Sequence, residues 1–235
     1  MKTIGLLGGM SWESTVTYYE KINESIKARL GGLHSAKIWL YSVDFDEIEK
    51  LQHAGDWAGT ATILCEAAKR IEASGADMLL ICTNTMHKVA PEIEAGITIP
   101  LIHIADAIAE QIKARDLHTV GLLGTRFTME QDFYRARLKD RYSIDVLIPE
   151  SSYRDFIHKV IYQELCCGTI NPESRDKFVH IIEQLGKQGV QGVILGCTEI
   201  PLLVQQEHTT VPLFDATEIH AMKAVELALA ENVRI

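Results

Sequence analysis

Two short polar segments, each directly after an apolar run, carry side chains that can hold a carboxylate and move a proton. They are Thr83-Asn84-Thr85 and Cys197-Thr198-Glu199. A cysteine thiol ionises closely enough to neutral pH to act as a base, whereas a threonine hydroxyl is a poor base there. Hydroxyl and amide groups, with exposed backbone N–H groups at such turns, can bind a carboxylate. If the two segments approach one substrate from opposite sides, Thr83 and Cys197 are placed to invert a stereocentre.

The spacing of the cysteines does not match a metal site, and the glycine-rich run near the start of the chain does not match a nucleotide-binding motif. The five cysteines are an odd number and include no Cys-x-x-Cys pair, so we expect no disulfide framework and no zinc site. The run Gly5-x-x-Gly8-Gly9 differs from the dinucleotide-binding G-x-G-x-x-G, and no P-loop motif occurs, so NAD and ATP are not expected. We expect Cys65 and Cys82 in the core, and Cys166 and Cys167 in packing at a helix end.

Composition and charge narrow the class of partner. Of the 235 residues, 47% are hydrophobic and 23% are charged, a balance that supports a globular core. The formal net charge of −9 argues against nucleic acid and anionic membrane surfaces and favours a small-molecule partner. No apolar run approaches the roughly 18 residues of a membrane span, and Ile4–Leu7 is too short for a signal-peptide core. We therefore expect a cytoplasmic protein.

The chain contains an internal repeat. Three apolar segments recur in the same order at a nearly constant offset of about half the chain, which indicates a duplicated unit. The pairs are Thr3–Gly8 with Thr119–Gly124, Gly75–Thr83 with Gly189–Cys197, and Ile99–Ile102 with Val211–Phe214.

Within each half, apolar runs alternate with segments of helical periodicity. The runs are short and continuous, which is typical of parallel strands buried on both faces, and Ser14 or Thr15 is expected to cap the first helix. This alternation predicts an α/β fold. Ligands of open parallel sheets bind outside the carboxyl ends of the strands, where both polar segments lie. No flexible linker separates the halves, so we expect them to share an interface.

A resemblance to a known family rests on three motifs and spans nearly the whole chain. The motifs are Gly8-Gly9-Met10-Ser11, Thr83-Asn84-Thr85-Met86-His87 and Gly196-Cys197-Thr198-Glu199. They resemble the aspartate/glutamate racemase family, close to bacterial L-aspartate/glutamate-specific or broad-specificity amino-acid racemases, which work without pyridoxal phosphate.

The resemblance implies an architecture and an assembly. It implies two Rossmann-like parallel-sheet domains related by pseudo-twofold duplication, an active site in the cleft between them, and a homodimer. It also implies that the final segment returns to the first domain. The expected domains are therefore 1–100 plus 211–235, and 101–210.

The resemblance also assigns site residues. In members with two cysteines, one thiolate removes the Cα proton and the other thiol delivers a proton to the opposite face. Here Cys197 is kept, but Thr83 stands at the other cysteine position. His87, one helical turn later, is expected either to reach the Thr83 hydroxyl or to be an ordinary surface histidine. A helix N-terminus is expected to stabilise the Cys197 thiolate. The expected catalytic residues are Thr83 and Cys197, and the expected substrate-binding residues are Met10, Gln52, Asn84, Thr85, Thr125 and Thr198.

The resemblance implies a cofactor-independent racemase of aspartate and glutamate. Acid-specific relatives hold the distal carboxylate with a basic residue near the position of Gln52, which is neutral. A wider set of small polar amino acids therefore stays open. Two other classes stay open as well. One is a single-cysteine lyase that decarboxylates substituted malonates, and the other is an amino-acid-binding protein without turnover.

Overall fold

The computed structural model describes residues 1–230, which divide into two compact units. The first unit contains Met1–Ile104 and the chain from His220 onward, and the second contains Ala105–Ile219. Each unit is built on its own parallel β-sheet with helices around it. The α/β fold predicted from the alternating pattern is therefore confirmed.

The elements follow one another in strand–helix order. In the first unit they are β1 (Ile4–Gly8), α1 (Trp12–Leu30), β2 (Ile38–Ser42), α2 (Phe45–Ala54), α3 (Trp57–Ala73), β3 (Met78–Ile81), a 3-10 helix at Thr85–Val89, and α4 (Ala90–Gly96). Helix α5 (Ile104–Ala114) crosses into the second unit, which continues with β4 (Thr119–Gly124), α6 (Arg126–Glu130), α7 (Asp132–Tyr142), β5 (Asp145–Leu147), α8 (Ser151–Gln163), a 3-10 helix at Leu165–Cys167, α9 (Pro172–Lys187), β6 (Val193–Gly196), α10 (Ile200–Leu203), a 3-10 helix at Gln206–His208, and β7 (Leu213–Asp215). Helix α11 (Ala216–Leu229) returns to the first unit.

The sheet of the first unit has the order β2-β1-β3, and all its pairings are parallel. Successive residues of a strand point to opposite faces, so the central strand β1 feeds two cores. Leu7 packs in one core with residues of α3, while Ile4 and Leu6 pack in the other with residues of α1 and α11. A strand buried on both faces reads as the unbroken apolar run seen in the sequence.

The sheet of the second unit has the order β5-β4-β6-β7, again with parallel pairings. The sequence repeat reappears here as equivalent strand pairing. In the first unit Leu79 forms a β-bridge with Leu101, and in the second unit its repeat partner Val193 pairs with Leu213, the repeat partner of Leu101. The duplicated segments therefore occupy corresponding positions in the two sheets.

The limits of the two units differ from the predicted domains. Strand β7 belongs to the second sheet because it pairs with β6, so the second unit extends beyond residue 210 to Ile219. At the other limit, the first unit extends past residue 100 to Ile104. Of the predicted returning segment 211–235, residues 231–235 lie outside the described residues.

The Thr15 hydroxyl holds the loop between β1 and α1, and the N-cap of α1 differs from the predicted one. Helix α1 begins at Trp12 and its N-cap is Ser11, whose side chain accepts a hydrogen bond from the Ser14 backbone N–H, so the predicted cap at Ser14 or Thr15 is wrong. The Thr15 hydroxyl instead accepts from the Gly9 backbone N–H at 2.8 Å and donates to the Ser11 carbonyl at 2.9 Å. Thr15 thereby fixes the loop that contains Met10.

None of the helices within residues 1–230 combines the length and the apolar character that crossing a membrane requires.

Gly9 gives a test of how tightly this loop is packed. Its φ is +91°, and an added Cβ would lie 2.3 Å from the Val43 carbonyl oxygen. We expect Gly9→Ala to lower the free energy of unfolding by about 3 kcal/mol, because a strained backbone and a backbone clash add together. Urea denaturation followed by circular dichroism measures this loss.

Gly55→Ala is the matched control. Gly55 also has a left-handed backbone, with φ +73°, but an added Cβ there meets no atom within 4 Å. It should cost only about 1 kcal/mol. Equal losses in the two variants would contradict the packing argument.

Candidate active site

The predicted site residues lie after the carboxyl ends of strands in their own units. In the first unit, Met10 follows β1, Gln52 lies in the helix after β2, and the turn Thr83–Thr85 follows β3. In the second unit, Thr125 follows β4, and Cys197 with Thr198 follows β6. These are the edges at which parallel sheets bind ligands.

Cys197 is a neutral thiol in a polar contact. Its Sγ donates a hydrogen bond to Oε2 of Glu199 at 2.8 Å. Burial raises the pKa of the Cys197 thiol well above its usual value, and the Glu199 carboxylate raises it further because a thiolate would face a negative charge. The thiol therefore keeps its proton at neutral pH and presents it to a carboxylate that can accept it.

A backbone N–H at the start of the next helix does favour the Cys197 thiolate, as expected, but its effect on the pKa is outweighed. The hydrogen bond from the Glu199 backbone lowers the pKa of Cys197, whereas burial and the Glu199 carboxylate raise it by more. The following helix, α10, has only four residues, and its N-cap, Glu199, makes no side-chain capping bond. A full negative charge in hydrogen-bond contact outweighs the partial positive charge of one short helix end. The local field at Sγ therefore favours the thiol form.

Glu199 is a functional candidate to which sequence reasoning assigned no role. The residue was visible in the motif Cys197-Thr198-Glu199, but whether its side chain turns back to the thiol depends on the turn conformation. A carboxylate two residues after a cysteine at a strand end is the signal that could have found it. Glu199 is the N-cap of α10, and its side chain makes no capping bond there.

Thr83 is partly buried at the end of β3, and its surroundings differ from those of Cys197. No residue in the described range 1–230 hydrogen-bonds the Thr83 hydroxyl. The Thr83 carbonyl oxygen lies 2.8 Å from Nδ1 of His87. The turn is thus anchored through its backbone, and the hydroxyl remains available to a substrate.

His87 holds the Thr83 turn but does not reach the hydroxyl, so that expectation is wrong. The buried ring contacts the Thr83 carbonyl through Nδ1, while Nε2 accepts a hydrogen bond from the Ile104 backbone N–H at 3.2 Å. These partners assign a neutral imidazole with its proton on Nδ1. Both ring nitrogens are engaged with the backbone, so His87 positions the turn and does not relay a proton.

Two further buried histidines pack against His87. The ring centroids of His103 and His220 lie 4.5 Å and 5.6 Å from that of His87. His220 Nε2 contacts the Ile102 carbonyl at 2.6 Å, and its Nδ1 accepts from the Tyr18 hydroxyl at 2.8 Å. Burial lowers the pKa of His220 to about 4, so this ring is uncharged at neutral pH. The histidines packed around His87 are therefore polar groups next to the Thr83 turn, and His220 among them carries no charge.

Asn84 has an unused acceptor. Its side chain is buried, and Oδ1 has no hydrogen-bond partner within residues 1–230. A buried carbonyl oxygen without a partner is costly, and a substrate ammonium or amide group would relieve that cost. Thr85, the next residue, is also buried.

The remaining predicted binding residues differ in what they can offer a substrate. Met10 packs in the apolar core, so its backbone is the part that could contact a ligand. Gln52 is buried on α2 and offers an amide. The Thr125 hydroxyl caps α6 by accepting from the Thr128 backbone N–H, and Thr198 is partly buried beside Cys197.

The other cysteines have different environments. Cys82 is fully buried, as predicted, and burial strongly raises its pKa. Cys65 is only partly buried at the margin of a core cluster. Cys166 and Cys167 are exposed, so their predicted role in packing is wrong; within the same 3-10 turn it is Leu165 that is buried. Within residues 1–230 no group of histidine, cysteine and acidic residues is arranged to hold a metal ion.

Comparison with known proteins identifies the family. The family model described as Asp/Glu/hydantoin racemase matches residues 7–224. The chain belongs to the Asp/Glu/hydantoin racemase family. This match includes every residue predicted for the site.

Three proteins similar to this chain match it over almost its whole length. The crystal structure of a candidate Asp/Glu racemase from Yersinia pestis is 55% identical, covers 98% of this chain and 100% of its own, and has a TM-score of 0.94. An aspartate racemase homologue from Pyrococcus horikoshii is 36% identical, with 97% and 99% covered and a TM-score of 0.87. The broad-specificity amino-acid racemase RacX of Bacillus subtilis is 21% identical, with 97% and 98% covered.

The contact between Cys197 and Glu199 predicts the reactivity of the thiol. Replacing Glu199 by Gln removes the negative charge that opposes thiolate formation, so the pKa of Cys197 should fall. We expect iodoacetamide to alkylate Cys197 at least about threefold faster at neutral pH in Glu199→Gln, since alkylation follows the thiolate fraction. Mass spectrometry of the peptide that contains Cys197 separates this thiol from the exposed ones.

Glu207→Gln, which removes an exposed carboxylate of the same unit, serves as the control and should leave the rate unchanged. Slower alkylation in Glu199→Gln would show that the carboxylate promotes ionisation of the resting thiol, and would contradict our interpretation.

Proposed function

We propose that the protein is a racemase that interconverts the L and D enantiomers of aspartate and glutamate without pyridoxal phosphate. Membership of the racemase family supports an amino-acid racemase. The observation that carries the mechanism is the hydrogen bond that the Cys197 thiol donates to Oε2 of Glu199 at 2.8 Å. A thiol with an adjacent proton acceptor can become a base when a substrate is bound.

The first step is removal of the Cα proton. The Cys197 proton moves to Glu199, and the resulting thiolate takes the proton from Cα, which leaves a carbanion delocalised onto the substrate carboxylate. The cysteine is then again a thiol and Glu199 carries the extra proton. This proton returns to solvent before the next turnover, so the protein ends the cycle in the state in which it began.

The second step delivers a proton to the opposite face of Cα, and the proposal gives this role to Thr83. Its hydroxyl donates to the carbanion and is reprotonated from solvent. A hydroxyl is a far weaker acid and base than a thiol, so proton transfer is slower at the face of Cα next to Thr83 than at the face next to Cys197. This difference affects rates only, because the equilibrium constant between enantiomers is one.

Substrate binding follows from the groups at the two strand edges. The unpartnered Asn84 Oδ1 suits the substrate ammonium, and hydroxyl groups of Thr85, Thr125 and Thr198 with nearby backbone N–H groups suit the α-carboxylate. Gln52 can hydrogen-bond a distal carboxylate or amide without a charge of its own. Because RacX is described as having broad specificity, we extend the proposal to other small polar amino acids.

We also propose where the enzyme acts and how it assembles. It is a cytoplasmic homodimer that acts on a free amino acid. The two alternatives from other classes, a malonate decarboxylase and a binding protein, are not favoured by the family comparison.

The activity is tested by incubating the protein with L-aspartate or L-glutamate in D2O. We expect deuterium at Cα and formation of the D enantiomer, followed by NMR and chiral chromatography. Cys197→Ala should lose this exchange by at least about 1000-fold, because it removes the base while leaving a small apolar side chain. Cys167→Ala, which alters an exposed thiol, should retain it.

Other results of these measurements would support one of the two alternative functions. Carbon dioxide release from a substituted malonate would favour the lyase, and saturable amino-acid binding without exchange would favour the binding protein. If Cys197→Ala exchanges the Cα proton at the wild-type rate, Cys197 is not the base.

Thr83→Cys tests the asymmetry of the two faces. It restores the thiol pair of the two-cysteine relatives with little change in volume. We expect it to raise kcat for the enantiomer that reacts poorly by about tenfold or more, because a thiol both donates and accepts a proton near neutral pH. The measurement is kcat and KM for each enantiomer separately.

Thr83→Ala provides the comparison. If Thr83→Ala is inactive and Thr83→Cys leaves both directions unchanged, the hydroxyl has a specific role that a thiol does not reproduce. That result would contradict the treatment of Thr83 as a weak substitute for a thiol.

A further inference from the structure

A second cysteine of the second unit, Cys166, lies close to Cys197. It belongs to the 3-10 helix at Leu165–Cys167. Burial and the Glu199 carboxylate are the main causes of the raised pKa of Cys197, and a negative charge on Cys166 raises this pKa further. An interaction of this kind weakens as the distance between the two groups grows, so the two sulfur atoms lie near each other. The mechanism proposed above uses Cys197 and gives Cys166 no role.

The packing of the second unit holds the two cysteines in the same region. The 3-10 helix packs against α10, the helix that follows the Cys197 turn. Leu165 at the start of the 3-10 helix is buried, as are Ile200 and Leu203 of α10. The Ile200 backbone N–H donates to the Cys197 carbonyl at 3.2 Å, so α10 is joined directly to the turn that carries the thiol. This packing fixes the 3-10 helix beside the Cys197 turn.

The three side chains of this 3-10 helix point in different directions. Three residues complete one turn of such a helix, so successive side chains are rotated by about 120°. Leu165 is buried, and the Cys167 thiol donates to the Tyr162 carbonyl of α8 at 3.6 Å. Cys166 takes the third direction and is exposed. The two adjacent cysteines therefore have different surroundings, and it is Cys166 whose charge acts on Cys197.

Exposure makes Cys166 the first of the two thiols to be oxidised. Oxidation of cysteines follows exposure and thiolate character. Cys197 is only partly exposed and rests as a neutral thiol, whereas Cys166 is exposed. A disulfide joins its sulfur atoms at about 2.05 Å, so its formation requires Cys166 to move toward Cys197. Every residue in the range 166–170 is exposed, so no buried side chain of this segment opposes that movement.

We propose that Cys166 and Cys197 form a reversible disulfide when the protein meets a hydroperoxide. The Cys166 sulfur attacks the peroxide and breaks its O–O bond, which gives a sulfenic acid on Cys166 and an alcohol, or water when the peroxide is hydrogen peroxide. Cys197 then passes its proton to Glu199 and attacks the sulfenic sulfur. The S–S bond forms as the S–O bond breaks, and the leaving hydroxide takes the proton from Glu199 and departs as water. The two thiols lose two electrons, which the peroxide receives.

The disulfide would stop the reaction at this site until a thiol reductant restores both cysteines. Its formation occupies the sulfur that the proposed mechanism uses as a base. Disulfides of cytoplasmic proteins are usually transient and often sense the redox state of the cell. The loss of turnover rests on the proposed racemase function. Formation of the bond does not, because it needs only the two thiols and the oxidant.

The test is treatment of the reduced, full-length protein with hydrogen peroxide in slight excess. Iodoacetamide then blocks the remaining thiols, and mass spectrometry identifies the tryptic peptides without reduction. We expect the peptide 160–175, which contains Cys166, linked to the peptide 188–223, which contains Cys197. The denatured protein should keep the mass of one chain. Cα exchange with L-aspartate should fall at least about tenfold and return after dithiothreitol.

Cys167→Ser is the matched control, because Cys166 and Cys167 are adjacent and both exposed. It should keep the linked peptides and the reversible loss of exchange. Cys166→Ser should lose the linked peptides while its exchange rate before treatment stays at the wild-type value. Circular dichroism checks that both variants are folded.

Three results would overturn the proposal. They are the absence of linked peptides in the wild type, linked peptides that persist in Cys166→Ser, and a bond that joins two chains. Linked peptides in a protein that shows no Cα exchange before treatment would support the disulfide and contradict the racemase function.

Discussion

One hydrogen bond, from the Cys197 thiol to the Glu199 carboxylate, sets the chemistry of the site residues in the second unit. A thiol in this position cannot rest as a thiolate, because ionisation would bring two negative charges into contact in a partly buried site. In the proposed mechanism, this pair holds one proton that moves from Sγ to the carboxylate when a substrate is bound. The role proposed for Cys197 follows from this, since its thiolate forms only when Glu199 accepts that proton.

The corresponding turn of the first unit has different chemistry. Its counterpart of Cys197 is Thr83, whose carbonyl is held by the neutral ring of His87, with His220 packed against that ring and kept uncharged by burial. The duplicated fold thus places corresponding turns at corresponding strand ends, and the two turns have diverged in chemistry. One carries a thiol paired with a carboxylate, and the other a hydroxyl on a rigid turn.

Much of the fold could be predicted from the sequence, because parallel strands buried on both faces leave short apolar runs, and duplication repeats them. The positions of Thr83 and Cys197 at strand ends followed from the same pattern. The contacts of Glu199 and His87 could not be predicted, since each depends on how one side chain rotates within a turn. The Ser11 cap and the extension of the second unit through β7 depend on the same kind of detail: a loop conformation and a strand pairing between segments distant in sequence.

Whether Cys197 rests as a neutral thiol can be measured by ¹³C NMR of protein labelled at the cysteine Cβ. The Cβ shift reports ionisation of each thiol, and a Cys197→Ser variant assigns the signal. We expect the Cys197 signal to stay in its thiol position from about pH 6 to about pH 9, beyond the ordinary cysteine pKa. A titration with its midpoint at or below neutral pH would instead show that Cys197 rests as a thiolate, and the proposed role of Glu199 would be wrong.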